Sequence, residues 1–416
     1  MGPPRCQRGE TLNDPTRKYI QDRFREYYLQ ESLEMPPDFQ SREWGFILFR
    51  DLPKKVMRRH KSFGSRFELV DYIRGMTPLH AYYSTALYRH PGAPTMKEKG
   101  WLGADLIFDL DADHLKNAPN SYNEMLDMVK KETLKLLEFL LSDFGFSERD
   151  VTVAFSGGRG YHIHVRNPRV LELGSGERRE IVDYLTGRGL DIESFIYKRP
   201  VEGEFGIERA LLLSVPPEDA RGWPGRVNRS MIFFVQYLRD LEEDEAVKVL
   251  ASREGIGKGG ATEFYRNLKG DNVLDQIKKG NLSGFKGSSK IWKSLINDYL
   301  DEEGVHLGFS PDQDRGETDE PVTTDIKRLI RFQLSLHGGT GLRVTPLTVD
   351  GLKAFDPMRD AVVFGDDPVE ICLRAPFQLE MRGEIHSLKE GPTEVPQCVA
   401  VFLMARGLAN LGKALD

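Results

Sequence analysis

Leu106-Ile107-Phe108-Asp109-Leu110-Asp111 places two carboxylates two residues apart in an apolar run. Side chains alternate along a strand, so Asp109 and Asp111 share a face about 6–7 Å apart at Cα, close enough to converge on one or two hard cations. Two like charges so placed repel, and Asp is a poor strand former, so the pair calls for something positive between them. The simpler alternative is a pair of acids on a solvated strand face, but Leu106, Phe108 and Leu110 mark out a buried face opposite. Asp113 and His114 read as turn residues. The second constellation is Ser156-Gly157-Gly158-Arg159-Gly160-Tyr161-His162-Ile163-His164-Val165. Its glycines let backbone N–H groups approach an anion, Arg159 can fork onto phosphate oxygens, and His162 shares a strand face with His164. Phosphate contact is favoured over a His162/His164 metal pair, because no cysteine is near and an arginine is. The rival is a hairpin turn whose histidines only satisfy their neighbours. A third segment runs from Thr318 to Arg331 and continues into Ser335-Leu336-His337-Gly338-Gly339-Thr340-Gly341. Asp325 reads there as a helix-start acid, whereas Asp319 precedes a proline in an extended stretch and is free to join another site.

These residues need elements to hold them. Asp14-Pro15 opens a capped amphipathic helix with Ile20, Phe24, Tyr27 and Tyr28 inward. Trp44–Phe49 is a buried strand, and Arg58–Lys61 a basic solvated turn. Ala104–Leu110 is a strand, followed by a helix from the capping box Ser121-x-x-Glu124, then strands over Val151–Phe155 and Tyr161–Val165. This order predicts an α/β or α+β domain with a mixed sheet. Residues 171–300 are mainly helical, with Ser230–Leu250 as one segment, and 251–293 carries nine basic side chains against four acidic ones. That stretch is either a solvated loop or a surface that tracks a polyanion backbone. A short helix is expected from Thr324 with Ile326, Leu329 and Ile330 inward. Strands follow near Ala361–Phe364, Glu370–Arg374 and Phe377–Met381, and a closing helix runs from Pro396 through Leu411. The division expected is therefore a disordered 1–13, a first sheet part over 14–170, a helical subdomain over 171–300, and a second sheet part over 301–416 whose first twenty residues are linker-like.

Composition sets outer bounds. The chain has 416 residues and a net charge of −6, so it does not coat nucleic acid by bulk attraction, and any polyanion site must be local. Cys6, Cys372 and Cys398 are too dispersed to suggest a disulfide framework and too few for a four-cysteine centre. No apolar run approaches a membrane span, and the start lacks the features of a signal peptide, so a cytoplasmic protein is expected.

Together the three segments resemble the small catalytic subunit of archaeal and eukaryotic DNA primase, most of all its archaeal members. Asp109-Leu110-Asp111 resembles that family's paired metal-binding aspartates, Ser156 to His162 its S-G-x-R-G-x-H nucleotide motif, and Asp319 its third carboxylate. Arg331 and His337 resemble a basic residue and a histidine at the incoming nucleotide. Arg42 and Arg59 resemble weaker features near nucleotide and primer. The resemblance implies an α/β (α+β), mixed-sheet primase catalytic domain with a helical insertion. It implies a DNA-directed RNA polymerase of the primase type, a nucleotidyltransferase making RNA primers, and DNA ones in some members, from nucleoside triphosphates on single-stranded DNA. Asp109, Asp111 and Asp319 would hold two Mg²⁺ or Mn²⁺ ions, while Ser156, Gly157, Arg159, His162, Arg331 and His337 hold the nucleotide. The implied partner is a large regulatory subunit carrying an iron–sulfur cluster, as a heterodimer. One departure is visible: relatives often insert a zinc knuckle after the paired aspartates, yet 114–150 contains no cysteine and one histidine, so no structural zinc is expected.

Two readings compete. Phe108-Asp109-Leu110-Asp111 with Phe364-Gly365-Asp366-Asp367 echoes haloacid-dehalogenase-type phosphatases, although Ala112-Asp113 replaces their Gly-Thr and Arg159 to His162 gain no role. In a non-enzymatic nucleic-acid-binding module, the acids would be structural and only the basic stretch would matter.

Overall fold

The computed structural model describes residues 13–112, 121–201, 210–285, 288–303 and 322–412. Asp113, His114 and Asp319 lie outside the described residues, as do 1–12 and most of the acid-rich stretch over 301–320. The chain divides into two compact units, the first from described residues of 1–137, 146–182 and 306–416, the second from 138–145 and 183–305.

The first unit opens with α1 (Asp14–Gln30), whose first turn holds Pro15 and whose cap is Asn13, accepting from Thr16 N at 2.9 Å. It buries Ile20, Phe24 and Tyr28. There follow β1 (Trp44–Leu48), β2 (Arg58–Lys61), α2 (Arg66–Met76), β3 (Pro78–Ser84), β4 (Ala86–Tyr88), β5 (Trp101–Ala104), β6 (Leu106–Asp111), α3 (Tyr122–Glu138), β7 (Val151–Phe155), β8 (Gly160–Val165), α4 (Pro168–Leu171) and α5 (Ser175–Thr186). The second unit adds the antiparallel pair β9 (Tyr197–Val201) and β10 (Ala210–Ser214), then α6 (Trp223–Asp240), α7 (Glu243–Ala251), α8 (Lys258–Leu268), α9 (Val273–Lys278) and α10 (Ser289–Glu303). The first unit resumes with β11 (Leu329–Arg331), β12 (Thr345–Leu347), α11 (Val349–Ala354), α12 (Pro357–Asp360), β13 (Pro368–Leu373), β14 (Phe377–Met381), β15 (Glu384–Leu388), β16 (Gly391–Pro396), α13 (Gln397–Ala405) and β17 (Ala409–Leu411).

Two four-stranded sheets carry the first unit, in orders β11-β3-β1-β2 and β12-β7-β8-β6. The fold is α+β, but the pairings among described residues are antiparallel rather than mixed. The reason lies in β8. The helical crossover through α3 does bring β7 parallel to β6, but β8 is inserted between them and hydrogen-bonds to both in the opposite sense. Leu106, Phe108 and Leu110 stand opposite Val165, Ile163 and Tyr161, so one face is a continuous apolar layer and the other is left for polar chemistry.

Several local expectations change. Leu329–Arg331 is a strand, because three residues beside the free edge of β3 gain a ladder with Tyr82–Ser84, where an isolated turn of helix would gain little. Arg58–Lys61 is likewise an edge strand on β1 and not a turn. Ser230–Leu250 divides at Leu241 into α6 and α7, Ala361–Phe364 forms no strand, and Leu411 leaves the closing helix for β17. The sheet part expected to end at 170 runs on to Val182, since the Arg178 guanidinium is buried and donates to the carbonyls of Ala104 at 2.8 Å and Asp105 at 2.9 Å. Burial lowers its pKa to about 10. Residues 138–145 belong to the second unit, where Arg226 pairs with Asp143 and Glu138 at 3.1 Å each. Cys398 is free and buried. Among the described residues no helix is long and apolar enough to cross a membrane.

Candidate active site

The register between β6 and β8 builds one wall. Asp109 stands opposite His162 and Asp111 opposite Gly160, so both carboxylates share the face of His162 and His164. His162 Nε2 lies 3.5 Å from Asp109 Oδ1, and Arg159 Nη2 3.5 Å from Asp111 Oδ1. The carboxylates keep 28% and 33% of their side-chain surface, open enough to receive a ligand. His162 is buried. Burial lowers its pKa; the Asp109 charge opposes this, and the Arg331 charge adds to it.

The glycine turn is shaped by what presses on it. Gly157 has φ 74°, and a Cβ there would meet His337 Cβ at 2.7 Å, so both its backbone sign and its space demand glycine. Ser156 Oγ accepts from Gly158 N and Gly160 N, 3.3 Å each, so the serine braces the turn from within and these two amides are not aimed at the cleft. Tyr122 donates to Gly158 O, and Thr340 to Gly157 O.

The opposite wall comes from β3, β11 and the 335–341 turn. Arg331 stands opposite Tyr82 and lays its guanidinium 5.2 Å from that ring. His337 Nδ1 lies 3.2 Å from Gly339 N and 3.1 Å from Thr340 Oγ1, which fixes the ring against the 335–341 turn. Burial first, then the charges of Arg331 and other bases, keep this imidazole neutral. It can donate one hydrogen bond without adding charge. Arg331 acts electrostatically on both His162 and His337, which joins the two walls. Sequence reasoning missed His80, Tyr82, Tyr122 and Thr340. Only the pairing of β3 with β11 reveals the first two, and no spacing signal marks the others.

Arg42 is corrected to a structural role. It is 1% exposed and gives four of its five N–H groups to Asp105 at 2.9 Å, Pro37 O at 2.8 Å, Ser84 O at 2.8 Å and Thr85 O at 3.0 Å, so it is buried away from a nucleotide or primer. Arg59 is partly exposed and grips buried Glu43 through Nε at 3.0 Å and Nη2 at 3.2 Å. A bulge in β2 with His60 at φ 63° accompanies this grip. Burial pushes Glu43 up, but hydrogen bonds from Arg59 and His60, with the charges of Arg59 and Lys99, hold its carboxyl below the usual range. Asp366, central to the phosphatase alternative, is engaged by Arg382 at 2.7 Å. The basic residues of 251–293 are spread over several helices. Lys258 and Arg266 line the outer side of α8, Lys269 donates to Arg239 O at 2.7 Å, Lys278 and Lys279 end α9, and Lys286 lies outside the described residues.

Two predictions arise here. Arg159→Ala should raise the KM for nucleotide about tenfold with a smaller change in kcat; both constants unchanged would remove its assigned role. His164 is fully buried, stacks on Tyr83 with ring centroids 6.4 Å apart, and has neither ring nitrogen hydrogen-bonded among the described residues. Burial holds its pKa well below the ordinary value. The unfolded chain therefore binds a proton that the fold does not, and stability falls as pH drops below the unfolded value, by up to about 1.4 kcal/mol per pH unit for each such histidine. His164→Phe should flatten that fall between about pH 6.5 and 5 in urea unfolding. An unchanged slope would show that the imidazole takes up its proton inside the fold.

Acids on one strand, guanidinium groups around them and neutral imidazoles between are the furniture of an enzyme that handles polyphosphates. Comparison with known proteins agrees: the family model for the DNA primase small subunit matches residues 108–349. The chain is 56% identical over 406 residues to the DNA primase small subunit PriS of Methanothrix thermoacetophila, covering 96% of this chain and 100% of that one. It is 48% identical over 398 residues to PriS of Methanococcoides burtonii (95% and 99%) and 44% over 411 residues to PriS of Methanocella arvoryzae (96% and 99%). The chain belongs to the DNA primase small-subunit family, in its archaeal form.

Proposed function

We propose that this cleft joins nucleoside triphosphates into short RNA primers on single-stranded DNA, as the catalytic half of a heterodimer with a large subunit in the cytoplasm. The observation that carries the reading is the register that sets Asp109 beside His162 and Asp111 beside the glycine turn. Two hard oxygen donors on one face, partly open to solvent, fit Mg²⁺ or Mn²⁺. Asp319, the third carboxylate that the family resemblance implies, is the proposed third ligand. Such cations supply activation of a 3′-hydroxyl and compensation of charge on the α-phosphate and the pyrophosphate leaving group.

The chain's own residues do the rest. Asp109 and Asp111 hold the cations and, being anionic, exclude a bare triphosphate until those are bound. Arg159 and Arg331 take phosphate oxygens from opposite walls, while His162 and His337 contribute uncharged N–H donors that orient the phosphate tail for in-line attack. For the template strand, the exposed bases Lys258, Lys278, Lys279 and Lys290 of the second unit are the assigned surface. The test is incorporation of labelled nucleoside triphosphates on a single-stranded DNA template, with and without a candidate large subunit, in Mg²⁺ and in Mn²⁺. Release of inorganic phosphate without dependence on template would sink the reading.

A further inference from the structure

His80 belongs to none of the motifs that point to the site, yet it sits at their meeting point. It lies on β3 two residues before Tyr82, on the same face, and is 6% exposed. Its Nδ1 is 2.8 Å from Arg331 Nη1 and accepts from Gly338 N at 3.2 Å. Its ring meets that of His337 edge to face, with centroids 5.1 Å apart and planes at 72°. The Gly338 bond needs close approach, since a Cβ on that glycine would stand 2.7 Å from Leu79 O.

Two donors converging on Nδ1 make it an acceptor, which puts the ring proton on Nε2. Burial, reinforced by the Arg331 and Lys55 charges, holds the ring neutral. An acceptor of this kind differs from a carboxylate. Asp or Glu at position 80 would also orient Arg331, but its charge would cancel that of the guanidinium and compete with phosphate for it. We propose that His80 is a positioning residue for nucleotide binding: an uncharged acceptor that aims Arg331 at the phosphates with its full charge intact and ties the 335–341 turn to the same strand. This rests on the reading of the cleft as a triphosphate site.

The probe is ATP with Mg²⁺, titrated onto the full chain by calorimetry, alongside KM and kcat in the template-directed assay. His80→Leu should weaken ATP binding about tenfold and raise KM in parallel, with a much smaller effect on kcat. His80→Asn, whose side-chain oxygen can stand where Nδ1 stood, should restore binding to within about threefold. Added to Arg331→Ala, His80→Leu should cost little more, because its effect passes through that arginine. Wild-type ATP affinity in His80→Leu, a full additive loss in the double variant, or Asn no better than Leu would each overturn the assignment. If His80→Leu does not fold, as judged by thermal melting, His80→Ala takes its place in the same cycle. Unchanged ATP binding in Arg331→Ala would instead sink the triphosphate reading of the cleft.

Discussion

Replacing Asp109 and Asp111 together by asparagine should reduce template-directed incorporation by at least about 10³-fold in kcat while leaving the thermal midpoint unchanged or raised. The two effects have one cause. Both carboxylates stand on the polar face of β6, where the neutral His162 imidazole lies 3.5 Å from Asp109 through Nε2 and the Arg159 guanidinium 3.5 Å from Asp111 through Nη2, longer than a good hydrogen bond. The repulsion between the two charges is relieved when they are removed. Activity, by contrast, needs the charges in order to hold divalent cations. Asparagine keeps the shape of each side chain and the packing of Leu106, Phe108 and Leu110 on the other face. Incorporation kinetics and a melting curve on the same preparation check both halves. Activity within about tenfold of wild type would favour the non-enzymatic module or place the chemistry elsewhere.

The second large effect has the opposite signature. Arg42→Ala should destabilise the first unit by about 3–5 kcal/mol, because it removes one partner from a buried ion pair. Asp105 is 2% exposed, and its other cationic partner is Arg166 at 3.1 Å. The carbonyls of Ser84 and Thr85 would also lose their guanidinium donor inside the fold. Urea unfolding followed by near-ultraviolet signals measures the loss, and Arg42→Lys should recover only part of it, since an ammonium cannot serve four separated acceptors with a planar fork. Destabilisation below about 1 kcal/mol together with a raised KM would return Arg42 to the nucleotide.

The chemistry-bearing residues were legible because the strand period of two is local. Asp109 and Asp111 had to share a face wherever the strand went, as did His162 and His164, and glycine at 157 signalled a conformation that no other residue adopts cheaply. The helix from Asp14 was legible for the same kind of reason: cap, proline and apolar spacing all lie within one segment. Arg42 and Arg59 show where local reading stops. An arginine in a polar stretch looks alike whether it faces a phosphate or a carboxylate, and only the buried Asp105 and Glu43, remote in sequence from the arginines they pair with, show which carboxylates these two meet. Leu329–Arg331 shows the same limit in secondary structure. Three residues of ambiguous pattern became a strand because β3 offered an unpaired edge.

By itself, then, the sequence determined which residues could do chemistry, which of them share a face, and which family the chain resembles, because each of these depends on spacing along one strand or turn. Tertiary structure alone decided that β8 lies between β6 and β7, that Asp109 stands beside His162, and that Arg331 leans on His80. Those facts depend on hydrogen bonds and packing between segments as much as 251 residues apart. Pairing partners are chosen by the free energy of the whole sheet, and no short stretch of sequence contains that sum.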